Sequence, residues 1–266
     1  MGRSAETTEN APPTEQTVGC YIYGVVPAEV DVDAETQGVG DPPAQVRPVR
    51  HGKIAALVSD IDVARPLGTP QDLLAHQQLL DAAAAEVPVL PIRFGAVLAT
   101  PDAVVEEFLS PYHDDFLAAL VELEGSAQYV IKGRYVEEVV LAEILEENPE
   151  AASLREEIRD MPEDAARNHR IRLGEIINES ITAQREADTA TLLENVEPVI
   201  VMSADRPPSH ELDAVHLALL VEISRERDLE QAVEEFARHR TDRIKLRLLG
   251  PMAPYDFIVS QEQGAG

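Results

Sequence analysis

The chain has 266 residues, of which 44% are apolar and only 4% aromatic, with no tryptophan. That length implies one or two domains and enough buried surface to fold without disulfide or metal staples. Against 22 Lys and Arg stand 49 Asp and Glu, a net charge of −27 that repels nucleic-acid backbones and anionic lipid surfaces alike.

The first 17 residues, MGRSAETTENAPPTEQT, are polar and acidic and predict a disordered arm with no signal-peptide core. VGCYIYGVV then predicts a strand from Val18 to Val26. Cys20 is the only cysteine. It excludes an internal disulfide, fits a reducing cytoplasm, and reads as a buried, inert thiol inside that strand. Residues 27–50 hold several Pro and Gly and predict a loop. A second strand follows in KIAALVSD. TPQDLLAHQQLLDAAAAE predicts a helix, with Thr69 as cap, Pro70 at the first position and Asp72 closing a capping box.

In VPVLPIRFGAVLA the prolines Pro88 and Pro91 argue for an edge or a strand start. Thr100, Pro101 and Asp102 open the next helix. Its stripe runs through Val104, Phe108, Tyr112, Phe116 and Leu120, with Pro111 expected to kink or split it and Ser110 as a second cap. AQYVIKGRYV predicts another strand. The order β, β, α, β, α, β up to about residue 136 resembles an elaborated ferredoxin-like sandwich.

Residues 138–194 predict charged helices broken at Pro149 and Pro162, with Leu173, Ile177 and Ile181 on one face. Beyond them VEPVIVMSA and AVHLALLVEIS predict strands, and DLEQAVEEFARH a helix with Leu229, Val233 and Phe236 inward. DRIKLRLLG alternates Ile244, Leu246 and Leu248 with Arg243, Lys245 and Arg247, as a half-buried strand does. The expected organisation is an arm at 1–17, a ferredoxin-like unit at 18–137, a charged helical connection at 138–195 and a small α+β unit at 196–266. No apolar run reaches the roughly 18 residues of a membrane span.

The chain carries no motif of a catalyst. Its seven histidines never fall at HxH or HxxxH spacing, and one Cys cannot complete a zinc site of the usual kind. Neither a phosphate loop with Lys-Ser/Thr nor a G-x-S-x-G elbow occurs. HDD at 113–115 has metal-binding residue types, but successive helix residues point in different directions.

Three segments stand out. Arg93 interrupts the apolar run VLPIRFGAVLAT and belongs either on a solvent face or beside an oxygen partner. Arg238 to Arg247 concentrates five Lys and Arg around one Asp, either paired with acidic neighbours such as Glu222 or forming a stripe for an acidic partner. In LRLLGPMAPYDFIV, Gly250-Pro251 is expected to end the strand and Pro254 to fix an extended approach to Tyr255. Tyr255, Phe257 and Val259 then predict a clasp that buries its aromatics and ties down the terminus.

YIYGVV, the helix containing His76, LPIRFG and GPMAPYDF occur in the order seen in the gas vesicle protein F/L family (GvpF/GvpL). LPIRFG resembles that family's Leu-Pro-apolar-Arg-Phe-Gly signature. GPMAPYDF resembles its Gly-Pro-Trp-Pro-Pro-Tyr-x-Phe signature, with Met252 in place of the Trp and Ala253 in place of a Pro. The resemblance covers about residues 18–259. It implies a two-domain α+β protein: a ferredoxin-like N-terminal sandwich and a C-terminal domain of helices and a small sheet. It implies no catalysis, cofactor or metal. The role implied is cytoplasmic and vesicle-associated, as an accessory protein that binds the hydrophobic shell protein (GvpA type), limits its aggregation and can remain as a minor vesicle component. Other vesicle accessory proteins are further possible partners. The motif residues, structural or partner-binding, are Pro91, Arg93, Phe94, Gly95, Gly250, Pro251, Pro254, Tyr255 and Phe257. The competing readings are a ferredoxin-like regulatory small-molecule binder and a hydrolase with dispersed carboxylates; neither has a supporting motif.

Overall fold

The computed structural model describes residues 18–258; the acidic arm and Val259 lie outside them. Two antiparallel sheets organise the chain. The first is built from β1 (Val18–Pro27), β2 (Arg47–His51), β3 (Ile54–Asp62) and β4 (Leu90–Pro91), in the order β2-β3-β1-β4, with β5 (Val97–Leu98) also pairing to β1. The second contains β6 (Ser126–Tyr135), β7 (Met202–Asp205), β8 (Asp213–Glu222) and β9 (Ile244–Met252), in the order β7-β8-β6-β9.

Numbered within each unit, both sheets run second, third, first, fourth. In the second unit three helices join its first two strands: α4 (Glu137–Glu147), α5 (Pro149–Asp160) and α6 (Arg167–Val196). Then α7 (Glu226–Arg238) joins its last two. That is the β-α-β-β-α-β plan of a ferredoxin-like fold with an enlarged first crossover. The first unit has the same strand order. A loop from 28 to 46 stands where its first helix would be, and α1 (Pro70–Ala84) supplies the other. The chain is thus an α+β protein with two related sheets, and β6, grouped with the first unit by residue order, opens the second sheet.

α1 starts as expected. The Thr69 side chain accepts from the Asp72 amide, Asp72 accepts from the Thr69 amide, and Pro70 fills the first turn. The next helical stretch splits at Pro111. A short α2 (Pro101–Ala103) runs into a π-helical turn over Val104–Leu109, and α3 (His113–Glu122) begins after the break. Tyr112, not Ser110, occupies the cap position, and no side chain caps α3. The wider π turn rotates the stripe, so Val104, Leu109 and Leu120 are buried while Tyr112 is exposed.

Two strand expectations shift. β2 forms inside the stretch expected to be loop: Pro48 has no N–H to give, but this edge strand needs donors on one side only. VEPVIVMSA becomes strand only from Met202, because α6 runs on to Val196.

The first sheet is covered on both faces. Cys20, Ile22, Ala56 and Val58 pack towards the 104–123 segment, and Tyr21, Tyr23, Ala55 and Leu57 towards α1. Burial raises the Cys20 thiol pKa, consistent with an inert thiol. The inner face of the second sheet packs with Ile144, Leu192 and Phe236 from α4, α6 and α7. Leu220 of β8 and Phe257 join one core of the first unit, and Ala253 joins the other, so the second unit is docked on the first.

Candidate functional site

The four sequence segments that carried the resemblance meet around one side chain, His76. It lies on the buried side of α1, 3% exposed. Tyr21 Oη is 2.9 Å from its Nδ1, and the Ile92 carbonyl is 3.1 Å from its Nε2. A carbonyl only accepts, so Nε2 carries the proton and Nδ1 accepts from the Tyr21 hydroxyl. The Tyr21 oxygen in turn accepts from the Gly95 N–H at 3.2 Å. The Tyr255 hydroxyl also lies 3.1 Å from Nε2.

Rings complete the cage. Tyr23 stacks on His76 at 5.6 Å between centroids, and Phe94 meets it edge-on at 5.5 Å. Burial lowers the His76 pKa more than the Ile92 carbonyl raises it. The imidazole is therefore neutral at neutral pH and serves as a fixed polar joint.

The first motif occupies β4 and the turn after it. Pro91 is buried opposite Gly24, and the Ile92 amide continues the pairing by donating to the Tyr23 carbonyl at 2.8 Å. Gly95 has φ of +97°, which an L side chain rarely adopts, and this turn aims its N–H at Tyr21. Arg93 is exposed, as the solvent-face reading expected, and Phe94 is half-buried.

The second motif departs from expectation in two ways. Gly250-Pro251 does not end the strand. β9 continues to Met252 through a bulge in which Gly250 and Pro251 together face Tyr129, so the proline's missing donor costs no ladder bond. Gly250 has φ of +141°, and a Cβ there would sit 2.7 Å from the Tyr129 ring. Nor is the tail an extended clasp of buried aromatics. Residues 255–258 form turns, and the fully buried members are Ala253 and Pro254. Tyr255 is 38% exposed, and Phe257 is half-buried against the first unit's core.

Polar clamps hold this tail. The Ala253 amide donates to Asp81 Oδ1 at 2.9 Å. The buried Gln128 side chain donates to Asp256 Oδ2 at 2.6 Å and accepts from the Asp256 amide at 3.0 Å. Arg206 pairs with Asp256 at 3.3 Å.

Between the clamped tail, α1 and the outer face of the second sheet lies an open cleft of about 570 Å³. Leu73, Phe94, Leu249 and Met252 give it an apolar lining, and Arg93, Lys132 and Arg206 a cationic rim. Leu73 and Leu249 are 48% and 46% exposed, so two large apolar side chains of one cleft are left open to solvent. The two motifs therefore share one site. Arg93, Phe94 and Tyr255 line it, Pro91, Gly95, Gly250, Pro251 and Pro254 lie in the adjoining backbone outside its lining, and Phe257 packs on the first unit's core. Sequence reasoning missed His76 as the junction, and Gln128 and Asp81 as the clamps. Nothing in a lone His, Gln or Asp on an amphipathic element distinguishes it from its neighbours.

The basic stretch divides. Arg240 and Arg243 reach back to Asp188 of α6, at 3.2 and 2.5 Å, and Arg243 also reaches Glu143 at 2.8 Å, so the acidic partner is not Glu222. Among the described residues no group of three or more His, Cys, Asp and Glu is placed to hold a metal ion. His113 and Asp114 pair with each other at 2.8 Å. No described helix is long and apolar enough to cross a membrane.

Known proteins are similar to this chain in sequence and fold. Gas vesicle protein F of Streptomyces sp. (strain CB03234) is 32% identical over 242 residues, spanning 90% of this chain and 98% of that protein. Gas vesicle protein L of Haloferax mediterranei is 25% identical over 86% of this chain and 74% of its own length. The crystal structure of the gas vesicle protein GvpF from Anabaena sp. PCC7120 superposes with a TM-score of 0.75 at 21% identity, over 90% of this chain and 97% of that one. GvpF from Microcystis aeruginosa gives 0.73, also at 21%. With the model of the family described as gas vesicle synthesis protein GvpL/GvpF matching residues 19–259, this chain belongs to that family.

Proposed function

We infer that the protein binds the hydrophobic gas vesicle shell subunit in the cleft between its two units and keeps that subunit from aggregating until it is incorporated. Family membership makes it a gas vesicle accessory protein. The observation that carries the finer reading is the cleft itself: both motifs converge on it, and Leu73 and Leu249 stay exposed there. A self-assembling shell subunit presents apolar surface before assembly, and such surface seeks an apolar groove. The net charge of −27 keeps the resulting complex dispersed. On this reading the protein works non-enzymatically in the cytoplasm and at the growing vesicle, where it can remain as a minor component.

The test is co-expression of the shell subunit with wild type and with Leu73→Asp/Leu249→Asp. Wild type should retain soluble subunit on purification, and the double variant should lose most of it while keeping its melting temperature. Absence of retention by wild type sinks the proposal.

A further inference from the structure

The outer face of the second sheet carries charge that the rest of the molecule does not explain. On β9 and β6, Arg247 lies directly opposite Lys132, and Lys245 directly opposite Arg134. Like charges directly opposed across strands are destabilising, and this is a chain in which acids outnumber bases by 49 to 22. Arg134 reaches Asp213 at 3.4 Å and Lys132 reaches Ser209 at 2.7 Å, but neither Lys245 nor Arg247 makes an ion pair among the described residues.

The strand that carries them is also an open edge. β9 is the last strand of its sheet, and from Lys245 to Leu249 its outer side has no backbone hydrogen bond among the described residues. Its other face shows Leu246 and Leu248, half-buried, in a groove of about 390 Å³ beside α7. The remaining edges are blunted. β7 has four residues and runs into Pro207 and Pro208, β2 holds Pro48 with both of its arginines paired, to Asp60 and Asp31, and β4 and β5 have only two residues each.

We propose that the free edge of β9 receives an extended partner strand whose residues alternate between carboxylate and apolar side chains. The carboxylates meet Lys245 and Arg247 on one face, and the apolar residues enter the groove beside Leu246 and Leu248 on the other. Backbone pairing supplies binding and the alternating faces supply selection. A lysine on an edge commonly serves only to block edge pairing. That role does not call for two opposed like-charge pairs beside an open groove into which Leu246 and Leu248 project. A second copy of this chain is a poor occupant, because antiparallel β9–β9 pairing brings Lys245 and Arg247 against their own kind. Nucleic acid is repelled by Glu226, Glu230 and Glu234, which border the groove. The proposal deepens the reading above and takes from it only the source of the strand, another gas vesicle protein; the edge and its code stand on β9 itself.

The experiment uses fluorescently labelled synthetic peptides matched to the nine residues of β9, one alternating Glu and Val, one with Gln for Glu, and one of the same Glu and Val composition in two blocks. The alternating peptide should bind the full-length protein, weaken with added salt, and protect the amides of Lys245–Leu249 from hydrogen exchange. Lys245→Glu/Arg247→Glu, both exposed and therefore compatible with folding, should weaken it at least about tenfold and instead favour a Lys-Val peptide. Equal binding of the Gln or block peptide, protection elsewhere, tighter binding of duplex DNA, or no binding of any peptide overturns the proposal. None of these outcomes depends on the shell-subunit retention test, so the two readings fail separately.

Discussion

His76 Nε2 lies 3.1 Å from the Tyr255 hydroxyl across 179 residues of sequence, joining α1 of the first unit to the tail that follows the last strand of the second. Replacing Tyr255 by Phe keeps the ring and removes this contact, at a cost of about 0.5–1.5 kcal/mol. Tyr255→Ala removes the ring too. Full burial of an aromatic ring is worth about 3–5 kcal/mol on truncation, but Tyr255 is 38% exposed and the smaller end of a 2–4 kcal/mol range applies. Limited proteolysis should then cut the Ala variant after Met252 faster than wild type. Equal protection of the two tails contradicts this assignment.

The neutral His76 makes stability depend on pH. Its pKa in the folded protein lies below the ordinary 6.5, so between those two values the unfolded chain binds the additional proton. Stability therefore falls as pH drops below about 6.5 and levels off below the folded pKa. Urea denaturation of wild type and His76→Asn from pH 8 to 5.5 should show a steeper decline for wild type. Parallel curves would show that the imidazole is not held neutral by burial.

Ala253 gives the departure from the family signature a physical meaning. The signature that this segment resembles has proline at this position, but here the buried Ala253 donates its N–H to Oδ1 of the half-buried Asp81 at 2.9 Å. Ala253→Pro restores the family pattern yet deletes that donor and leaves Asp81 without it. The expected result is a loss of about 1–3 kcal/mol, read by chemical denaturation. Asp81→Asn, which keeps an acceptor, should cost less. A stabilised Ala253→Pro variant would overturn this account of the departure.

How much of this was legible in the sequence depends on the range of the signal. The α1 capping box, the inward face of α7 and the alternation of β9 are local patterns, and the structure reproduces them. Membership of β6 in the second sheet was invisible, because AQYVIKGRYV reads as the same strand whichever sheet takes it. The shared strand order of the two sheets was equally hidden, since the loop at 28–46 and the crossover from α4 to α6 share no spacing. At the site, the glycines and prolines of both motifs announced themselves by what they forbid. His76, Gln128 and Asp81 act through partners 16 to 179 residues away, and no single-sequence pattern encodes such pairings.

Asp188 tests whether the long helix α6 is fastened to the second sheet by charge or only by packing. It sits on an otherwise ordinary helical face, 7% exposed, and accepts from Tyr135 Oη at 2.8 Å while pairing with Arg240 and Arg243. Removing one member of a buried ionic cluster leaves the others desolvated and uncompensated, which typically costs about 3–5 kcal/mol. Here Arg243 retains Glu143 and both arginines are about one-fifth exposed, so Asp188→Asn should cost nearer to 2 kcal/mol. The Tyr135 bond survives in the Asn variant but not in Asp188→Leu, which fills the volume but strands the hydroxyl and Arg240 and leaves Arg243 with Glu143 alone. The order of stability should therefore be wild type, then Asn, then Leu. If the Leu variant proves the most stable, apolar packing alone holds α6 to the sheet.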